Sequence, residues 1–213
     1  MKILCLAAHV DDVEIGCGGS IIKLIEEGND VYYIAFSIAE DSLPKDLPKD
    51  ILLKEAKLSI KIIGINPQNV FIYRYPVRKL PQFRQEILED MVKLNKRINP
   101  DLVFCPSLDD THQDHRVIAI EGFRAFKYHS MLGYEIPSNN INFKPGAFII
   151  LKKEHIDKKI KALKSYKSQN LRQISLGRKP SNPERLRALA QVRGNQIRVD
   201  YAEAFDMMRW VIK

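Results

Sequence analysis

Ile3-Leu4-Cys5-Leu6-Ala7-Ala8, an uninterrupted apolar run, passes directly into His9-Val10-Asp11-Asp12. A short continuous apolar run that ends in polar residues is typical of a strand buried on both faces of a parallel sheet. The pattern returns later in the chain, where Thr111-His112-Gln113-Asp114-His115 follows the apolar run Leu102–Pro106. Because the carboxyl ends of parallel strands meet at one edge of a sheet, both polar groups are predicted to line one crevice.

Apolar runs and helical patterns alternate along the rest of the chain. Strands are predicted over Met1–Ala8, Val31–Ser37, Val70–Tyr73, Leu102–Pro106 and Ala147–Leu151, and helices over Gly18–Glu27, Ile51–Ile63, Pro81–Asn99, His115–Phe126, Lys153–Tyr166 and Pro183–Gly194. Ile38–Lys49 and Ser175–Pro183 are predicted loops, and Ile197–Phe205 is predicted to be extended or mixed. The alternation predicts an α/β fold: a Rossmann-like, doubly wound, mostly parallel sheet with helices on both faces.

Length and composition are those of an ordinary globular protein. The 213 residues predict a single domain over residues 1–213, with enough chain for a proper core. No apolar stretch approaches the roughly 20 residues needed to span a bilayer, and Met1–Leu4 leads into a strand rather than a signal peptide. The three cysteines form no paired framework, so nothing indicates an oxidising compartment. We therefore expect a cytoplasmic protein.

The net charge of +8 is unevenly distributed. Between Leu151 and Arg198, Lys and Arg far outnumber Asp and Glu. The simplest interpretation is a solvated helical face, and a second is a surface that attracts an anionic substrate such as a phosphorylated or nucleotide-linked sugar. Nucleic-acid binding is disfavoured, because the chain has no recognised motif for it and no aromatic platform among the basic residues.

The two polar groups after the strands contain the residue types of a catalytic metal site. Two imidazoles and one carboxylate, with an open fourth position, form a familiar zinc site, and a spare aspartate can act as general base. A core histidine bonded to backbone is the competing interpretation for His9, and a helix cap or turn is that for Asp11 and Asp12. Adjacent acids point in different directions, so one can bind metal while the other faces substrate, but their order alone does not assign the roles.

The segment Gly16-Cys17-Gly18-Gly19 allows two further roles. Cys17 lies close in sequence to the predicted metal site, although the set of His and Asp is complete without a thiolate. The glycines could cradle a phosphate at a helix N-terminus, but their spacing is not Gly-x-Gly-x-x-Gly and no acid closes the second strand at Ser37. Close packing of a helix on a strand is the favoured interpretation.

Five segments together resemble a known family. They are His9-Val10-Asp11-Asp12, Ile15-Gly16-Cys17-Gly18-Gly19, His112-Gln113-Asp114-His115, Tyr166-Lys167-Ser168-Gln169, and Arg193-Gly194 followed by Tyr201-Ala202-Glu203-Ala204-Phe205. In this order, and over nearly the whole chain, they resemble the LmbE-like, or PIG-L, deacetylases. The resemblance implies a metal-dependent hydrolase that removes the acetyl group from an N-acetylated amino sugar or its glycoside or nucleotide conjugate. Zn²⁺ is the implied cofactor, and two His with one carboxylate also suit Fe²⁺.

The resemblance also implies a role for each site residue. His9, Asp12 and His115 would be the metal ligands, and Asp11 the general base that takes a proton from the attacking water. His112 would stabilise the oxyanion or protonate the leaving amine, and Asp114 would orient an imidazole from behind it. For Asp114 a simple turn residue is the competing interpretation.

Three positions depart from the family pattern. Val10 stands where the signature usually has proline, which would pre-set the backbone of that turn. Val13 replaces a common acidic residue, and Lys54 is the nearest basic residue in a segment that resembles the family's Arg-rich substrate side. The catalytic set is therefore carried over, whereas the substrate contacts are not.

The sequence leaves two alternative functions open, and it leaves the charge of the substrate and the oligomeric state open as well. The chain could be an amidohydrolase for a different N-acyl or thiol-conjugated substrate, or a non-catalytic nucleotide- or nucleic-acid-binding relative without bound metal. The expected partner is a small N-acetylated sugar, and the basic C-terminal third favours an anionic one. A homo-oligomer is also open, since the apolar Phe143–Leu151 segment suits either a contact between copies or the core.

Overall fold

The computed structural model describes residues 1–44 and 46–212. Its strands are β1 (Lys2–His9), β2 (Asp30–Ser37), β3 (Val70–Ile72), β4 (Leu102–Pro106), β5 (Ser130–Tyr134), β6 (Ala147–Leu151) and β7 (Tyr201–Arg209). Its α-helices are α1 (Asp12–Glu26), α2 (Ile51–Ile63), α3 (Arg84–Ile98), α4 (Gln113–Ala125), α5 (Lys153–Leu163), α6 (Lys167–Ser175) and α7 (Glu184–Asn195).

These seven strands form one sheet in the order β3-β2-β1-β4-β5-β7-β6. The first five strands in that order are parallel, and β7 runs antiparallel to both β5 and β6. The order reverses between β1 and β4, which pair from Ile3 opposite Leu102 to Cys5 opposite Phe104. The predicted doubly wound, mostly parallel sheet is confirmed, and its switch point lies where ligands usually bind in such sheets.

Successive side chains of β1 enter two different cores. Ile3 and Cys5 pack in the core formed with α1, α2 and α5, whereas Leu4 and Leu6 pack in the core formed with α3 and α4. All four side chains are fully buried. Alternation between two apolar layers explains why the run is continuous rather than polar at every second residue.

Helix α1 begins earlier than the sequence predicts, at Asp12 rather than Gly18, and is kinked at Cys17 (φ −142°, ψ 16°). Beyond the kink, the Glu203 carboxylate accepts hydrogen bonds from the backbone amides of Gly19 (3.0 Å) and Ser20 (2.7 Å). Lys159 Nζ lies 2.6 Å from that carboxylate and donates to the carbonyl oxygen of Ile15 at 2.7 Å. The buried ion pair thus supplies the backbone partners that the kink removes.

Close packing explains the glycines of this segment. A Cβ atom on Gly16 would lie 2.3 Å from a ring carbon of Tyr134, and one on Gly19 would lie 2.7 Å from Leu151 Cδ1. The amides of Gly19 and Ser20 are already bonded to Glu203. The packing interpretation therefore holds, and these amides are not free to cradle a phosphate.

Strand β5 and helix α6 were not predicted. Within Ile197–Phe205, predicted to be extended or mixed, the strand β7 begins at Tyr201 and continues to Arg209. The loop predicted over Ile38–Lys49 contains a short 3₁₀ turn at Glu40–Ser42, and its Lys45 lies outside the described residues. None of the helices in the described part of the chain is both long enough and apolar enough to cross a bilayer.

Candidate metal centre and active site

The two strand ends bring the predicted side chains together. His9 is the last residue of β1, and Asp11 and Asp12 lead into α1. His112 caps α4, and His115 lies in its first turn. Since β1 and β4 are neighbours, all five residues lie at one carboxyl edge of the sheet, as the sequence predicts.

Two imidazole nitrogens and one carboxylate converge at this edge. His9 Nδ1 lies 3.2 Å from His115 Nε2, Asp12 Oδ1 lies 3.3 Å from His115 Nε2, and Asp12 Oδ2 lies 3.6 Å from His9 Nδ1. Ligand atoms on a tetrahedral zinc with bonds of about 2.0–2.1 Å are separated by about 3.3 Å. The three side chains therefore have the spacing of one face of a tetrahedral site.

The outward-facing nitrogen of each imidazole has a carboxylate partner. His9 Nε2 lies 3.0 Å from Asp114 Oδ2, and His115 Nδ1 lies 2.7 Å from Asp110 Oδ2. An ionised carboxylate only accepts hydrogen bonds, so these two nitrogens carry the protons. The lone pairs of His9 Nδ1 and His115 Nε2 then point at each other and at Asp12, the tautomers that metal-binding histidines adopt.

This arrangement fits a cation. The lone pairs of His9 Nδ1 and His115 Nε2 face each other at 3.2 Å beside the Asp12 carboxylate, which is unfavourable unless a proton or a metal ion lies there. All three residues are buried, with 3–8% of their surface exposed. A divalent cation satisfies them together, so the residues fit the metal that the sequence predicts.

His112 offers an alternative third ligand. Among the described residues, ligand atoms of His9, His112 and His115 all lie within 4.8 Å of one another. However, His112 Nδ1 already accepts a hydrogen bond from the backbone amide of Asp114 at 3.1 Å. Its Nε2 remains for a ligand or substrate, whereas the two Asp12 oxygens lie 3.3 Å and 3.6 Å from the facing imidazole nitrogens, which favours Asp12 as the third ligand.

The electrostatics of the metal-free cluster reflect this crowding. Burial alone would lower the pKa of His9, but the carboxylates of Asp12 and Asp114 raise it to about 9. The pKa of His115 is raised against burial to about 10, by Asp12 and Asp110. Burial would raise the pKa of Asp12, yet His115 and His9 hold it well below its usual range. The cluster therefore holds positive charge strongly.

Asp11 faces a different environment from Asp12. It lines the large cavity next to the cluster, and its side chain does not cap α1 although it occupies the cap position. Burial, and then the charge of Asp12, raise the pKa of Asp11 to about 6. Both adjacent carboxylates line the cavity, but it is Asp12 whose oxygens contact the two imidazoles of the cluster.

The turn at Val10 is held by hydroxyl groups. Tyr33 Oη donates to the Val10 carbonyl oxygen at 2.6 Å, and Tyr166 Oη donates to the same oxygen. Tyr166 Oη also contacts Glu14 Oε1 at 2.8 Å, and Ser59 Oγ donates to that carboxylate oxygen at 2.8 Å. These contacts restrain the turn that proline would otherwise pre-set. They give a structural role to Tyr166, the first residue of the family-like segment Tyr166-Lys167-Ser168-Gln169.

Asp114 and Asp110 show what the sequence could and could not reveal. Asp114 is fully buried and does not line the cavity; its carboxylate also accepts from the backbone amides of Arg78 (2.6 Å) and Leu80 (3.2 Å). It is placed to orient His9 and not to touch substrate. The sequence analysis missed Asp110, because its contact with His115 depends on the shape of the loop. The one sequence feature that could have indicated it is the presence of an acid two residues before the His112-Gln113-Asp114-His115 segment.

The cavity beside the cluster has a volume of about 860 Å³. Its floor contains His9, Asp11, Asp12, His112 and His115. Its walls combine apolar side chains with three arginines: Leu163, Leu186, Leu189, Val192, Arg78, Arg172 and Arg185. Its volume is within the range of small-molecule sites, toward the upper end.

The fold and the site together define an α/β protein with a candidate catalytic metal centre at the switch point of its sheet. The family model described as "PIG-L: GlcNAc-PI de-N-acetylase" matches residues 4–126, more than half of the chain. The chain belongs to this PIG-L, or LmbE-like, family.

Two relatives extend the likeness. The protein named "Uncharacterized deacetylase YaiS" of Escherichia coli K12 is 30% identical over 173 residues, which cover 78% of this chain and 90% of the relative. The diacetylchitobiose deacetylase of Thermococcus kodakarensis is 27% identical over 135 residues, which cover 60% of this chain. The aligned part spans 49% of that relative, about half of its length.

Solved structures share the fold. The N,N'-diacetylchitobiose deacetylase of Pyrococcus horikoshii, in a complex with an inhibitor, is 24% identical with a TM-score of 0.79, covering 97% of this chain and 83% of that chain. The 4-carboxy-2-hydroxymuconate hydratase of Pseudomonas putida is 19% identical with a TM-score of 0.79, covering 100% and 98%. Because proteins named for two different reactions share the fold, the site must carry the argument for activity.

Proposed function

We propose that this protein is a metal-dependent hydrolase that removes the acetyl group from an N-acetylated amino sugar or a conjugate of one. The observation that carries the proposal is the convergence of His9 Nδ1, His115 Nε2 and the Asp12 carboxylate, three acceptors at 3.2–3.6 Å with a cavity in front of them. The membership of the PIG-L family and the names of its relatives support the choice of an N-acetyl amide.

His9, Asp12 and His115 would hold the ion, with Asp114 and Asp110 fixing the two imidazoles. Zn²⁺, or Fe²⁺ in its place, supplies Lewis-acid chemistry to such a site, because it activates water for attack and polarises an amide carbonyl. The cavity places the substrate beside this cluster.

Asp11 is the general base of the proposal. It faces the cavity, is not a cluster ligand, and takes the proton of the attacking water as the new C–O bond forms. The same proton is then available to the amide nitrogen as the C–N bond breaks. Acetic acid and an amine leave, and at neutral pH the acid gives its proton to the amine or to solvent, so the products are acetate and an ammonium group and atoms and protons balance.

His112 is the oxyanion donor of the proposal. Because its Nδ1 accepts from the amide of Asp114, the proton of the neutral ring lies on Nε2. Nε2–H is then a fixed donor on a residue that lines the cavity. A preorganised donor of this kind stabilises the developing negative charge of the carbonyl oxygen.

The test compares acetate and free amine released by zinc-loaded wild type and by Asp11→Asn, with N-acetylglucosamine and diacetylchitobiose as substrates. The exposed Asp109→Asn on the His112 loop is the matched control. We expect equal amounts of acetate and amine from wild type and from the control, and a loss of at least about a hundredfold in Asp11→Asn. Full activity in an Asp11→Asn protein that retains its metal would contradict the proposed mechanism.

A further inference from the structure

Two arginines of the cavity differ from several others in the protein in having no carboxylate partner. Arg84, Arg187 and Arg193 form ion pairs with carboxylates at 2.5–2.8 Å. In contrast, the side chains of Arg78 and Arg172 have no hydrogen bond or ion pair to any residue that the structure describes, and both line the cavity. These two guanidinium groups contribute no ion pair to the fold, so their position beside a ligand cavity suggests a role in binding.

Arg78 is fixed relative to the metal cluster. Its backbone has a positive φ of 65°, and its amide donates to Asp114 Oδ2 at 2.6 Å. The same carboxylate oxygen contacts His9 Nε2 at 3.0 Å. One carboxylate thus ties the backbone of Arg78 to a proposed metal ligand, and the exposed side chain of Arg78 lines the cavity from this fixed point.

Arg172 approaches the same region from α6. Its side chain is half-buried and lines the cavity. Its pKa is lowered, first by burial and then by the charge of Arg78. The charge of Asp11 opposes this effect, but neither guanidinium forms an ion pair with an acid that the structure describes, so a bound anion would stabilise both.

We propose that Arg78 and Arg172, with Arg185 at the exposed rim, form an anion-binding subsite for the part of the substrate remote from its acetamide group. This inference rests on the proposed function and narrows its substrate class to N-acetylated amino sugars that carry a phosphate or a carboxylate. The cavity of about 860 Å³ leaves room for such a conjugate beside the sugar.

The first test measures kcat/KM for acetate release by the zinc-loaded protein from three matched substrates. N-acetylglucosamine 1-phosphate carries the phosphate, the carboxymethyl glycoside carries the carboxylate, and the methyl glycoside is the neutral reference. We expect at least a tenfold preference of wild type for one charged substrate over the neutral one. The better charged substrate shows which anion the subsite prefers.

Substitutions of single arginines test which residues cause the preference for a charged substrate. Arg172→Gln and Arg78→Gln are expected to reduce the ratio of charged to neutral kcat/KM at least fivefold. Arg198→Gln is the matched control, because this exposed arginine does not line the cavity, and it should keep the ratio. Wild type without any preference, or a preference that both cavity variants retain, would overturn the subsite while leaving the proposed deacetylation intact.

A binding measurement separates this inference from the proposed function. Metal-free wild type and Arg172→Gln are titrated calorimetrically with N-acetylglucosamine 1-phosphate. Binding at least tenfold weaker in the variant supports the subsite even if no substrate of the panel releases acetate, an outcome in which the proposed function would fail alone. Equal affinities, or no binding to wild type, would overturn the subsite.

Discussion

His9 Nε2 lies 3.0 Å from Asp114 Oδ2, and the same carboxylate receives the backbone amides of Arg78 and Leu80. Asp114 lies only one residue from His115, yet it orients the histidine of the other strand end. The two strands that supply the cluster are thus joined behind it as well as within it. A carboxylate that binds the imidazole nitrogen facing away from the metal sets both the tautomer and the ring orientation of that histidine.

Removal of the Asp114 carboxylate should therefore weaken metal binding without removing a ligand. We expect Asp114→Ala to reduce zinc affinity about 10–100-fold, measured by competition with a chromophoric chelator. Gln113→Ala, the exposed neighbour on the same helix, is the control and should bind as wild type does. An unchanged affinity in a folded Asp114→Ala protein would show that His9 needs no such partner.

The metal-free protein should contain imidazolium groups at neutral pH. The pKa of His9 is raised to about 9 and that of His115 to about 10, while burial and His115 lower the pKa of His112. Because the pKa values of His9 and His115 are higher in the folded protein than in the unfolded chain, their protonation stabilises the metal-free fold. This stabilisation is complete below the unfolded pKa of about 6.5 and is lost as the pH rises through 9 and 10. Metal must displace these protons, so its affinity should increase with pH over the same range.

An NMR titration of metal-free protein with ¹³C-labelled histidine measures this directly. The His9 and His115 resonances, assigned through His9→Ala and His115→Ala, should titrate above pH 8, and the resonance assigned through His112→Ala should titrate below 6.5. Titration of the His9 and His115 resonances near pH 6.5 would contradict the arrangement of carboxylates around them.

The Tyr166 hydroxyl should contribute to stability through the Val10 turn. Tyr166→Phe removes a buried hydroxyl that donates to the Val10 carbonyl and contacts Glu14 Oε1, and we expect the free energy of unfolding to fall by about 1–3 kcal/mol. Zinc affinity should also decrease, because the turn leads directly into Asp11 and Asp12. Tyr128→Phe, at a residue that is 73% exposed, is the control in urea unfolding; equal stability of both variants would exclude the restraint.

Removal of one partner of the buried Lys159–Glu203 ion pair should lower the free energy of unfolding strongly. Lys159→Met leaves the buried Glu203 carboxylate without its cation, and we expect a loss of about 3–5 kcal/mol in the free energy of unfolding. The adjacent Lys158 pairs with Glu26 at the surface, so Lys158→Met should cost less than about 1 kcal/mol. Similar losses in chemical denaturation would mean that the kink of α1 does not depend on Lys159.

The centre of the fold could be predicted because its signals are local. The apolar runs of β1 and β4 are continuous and each ends in His and Asp, so the sheet edge and the cluster follow from neighbouring residues. Strand β5 was missed because Ser130–Tyr134 is short and contains Gly133. Helix α6 is mostly polar and is fixed by tertiary contacts, including Ser168 with Glu55 at 2.5 Å and 3.0 Å.

Contacts between distant segments account for the other differences. The first turns of α1 contain glycine, which disfavours a helix, and they are stabilised by Lys159 and Glu203 from the other end of the chain. The partner of His115, Asp110, depends on loop geometry that no spacing encodes. Equally, composition shows that the C-terminal third is basic, but only the fold shows that Arg172 faces the cavity while Arg187 is paired.

The metal content of purified wild type, Asp12→Ala and His112→Ala, determined by inductively coupled plasma mass spectrometry after zinc loading and desalting, tests the central claim most directly. Near-ultraviolet circular dichroism verifies that each protein is folded. We expect about one zinc per chain in wild type and in His112→Ala, and almost none in Asp12→Ala. Zinc retained by folded Asp12→Ala and lost from His112→Ala would instead assign the site to the three histidines, and no zinc in wild type would contradict a metal centre.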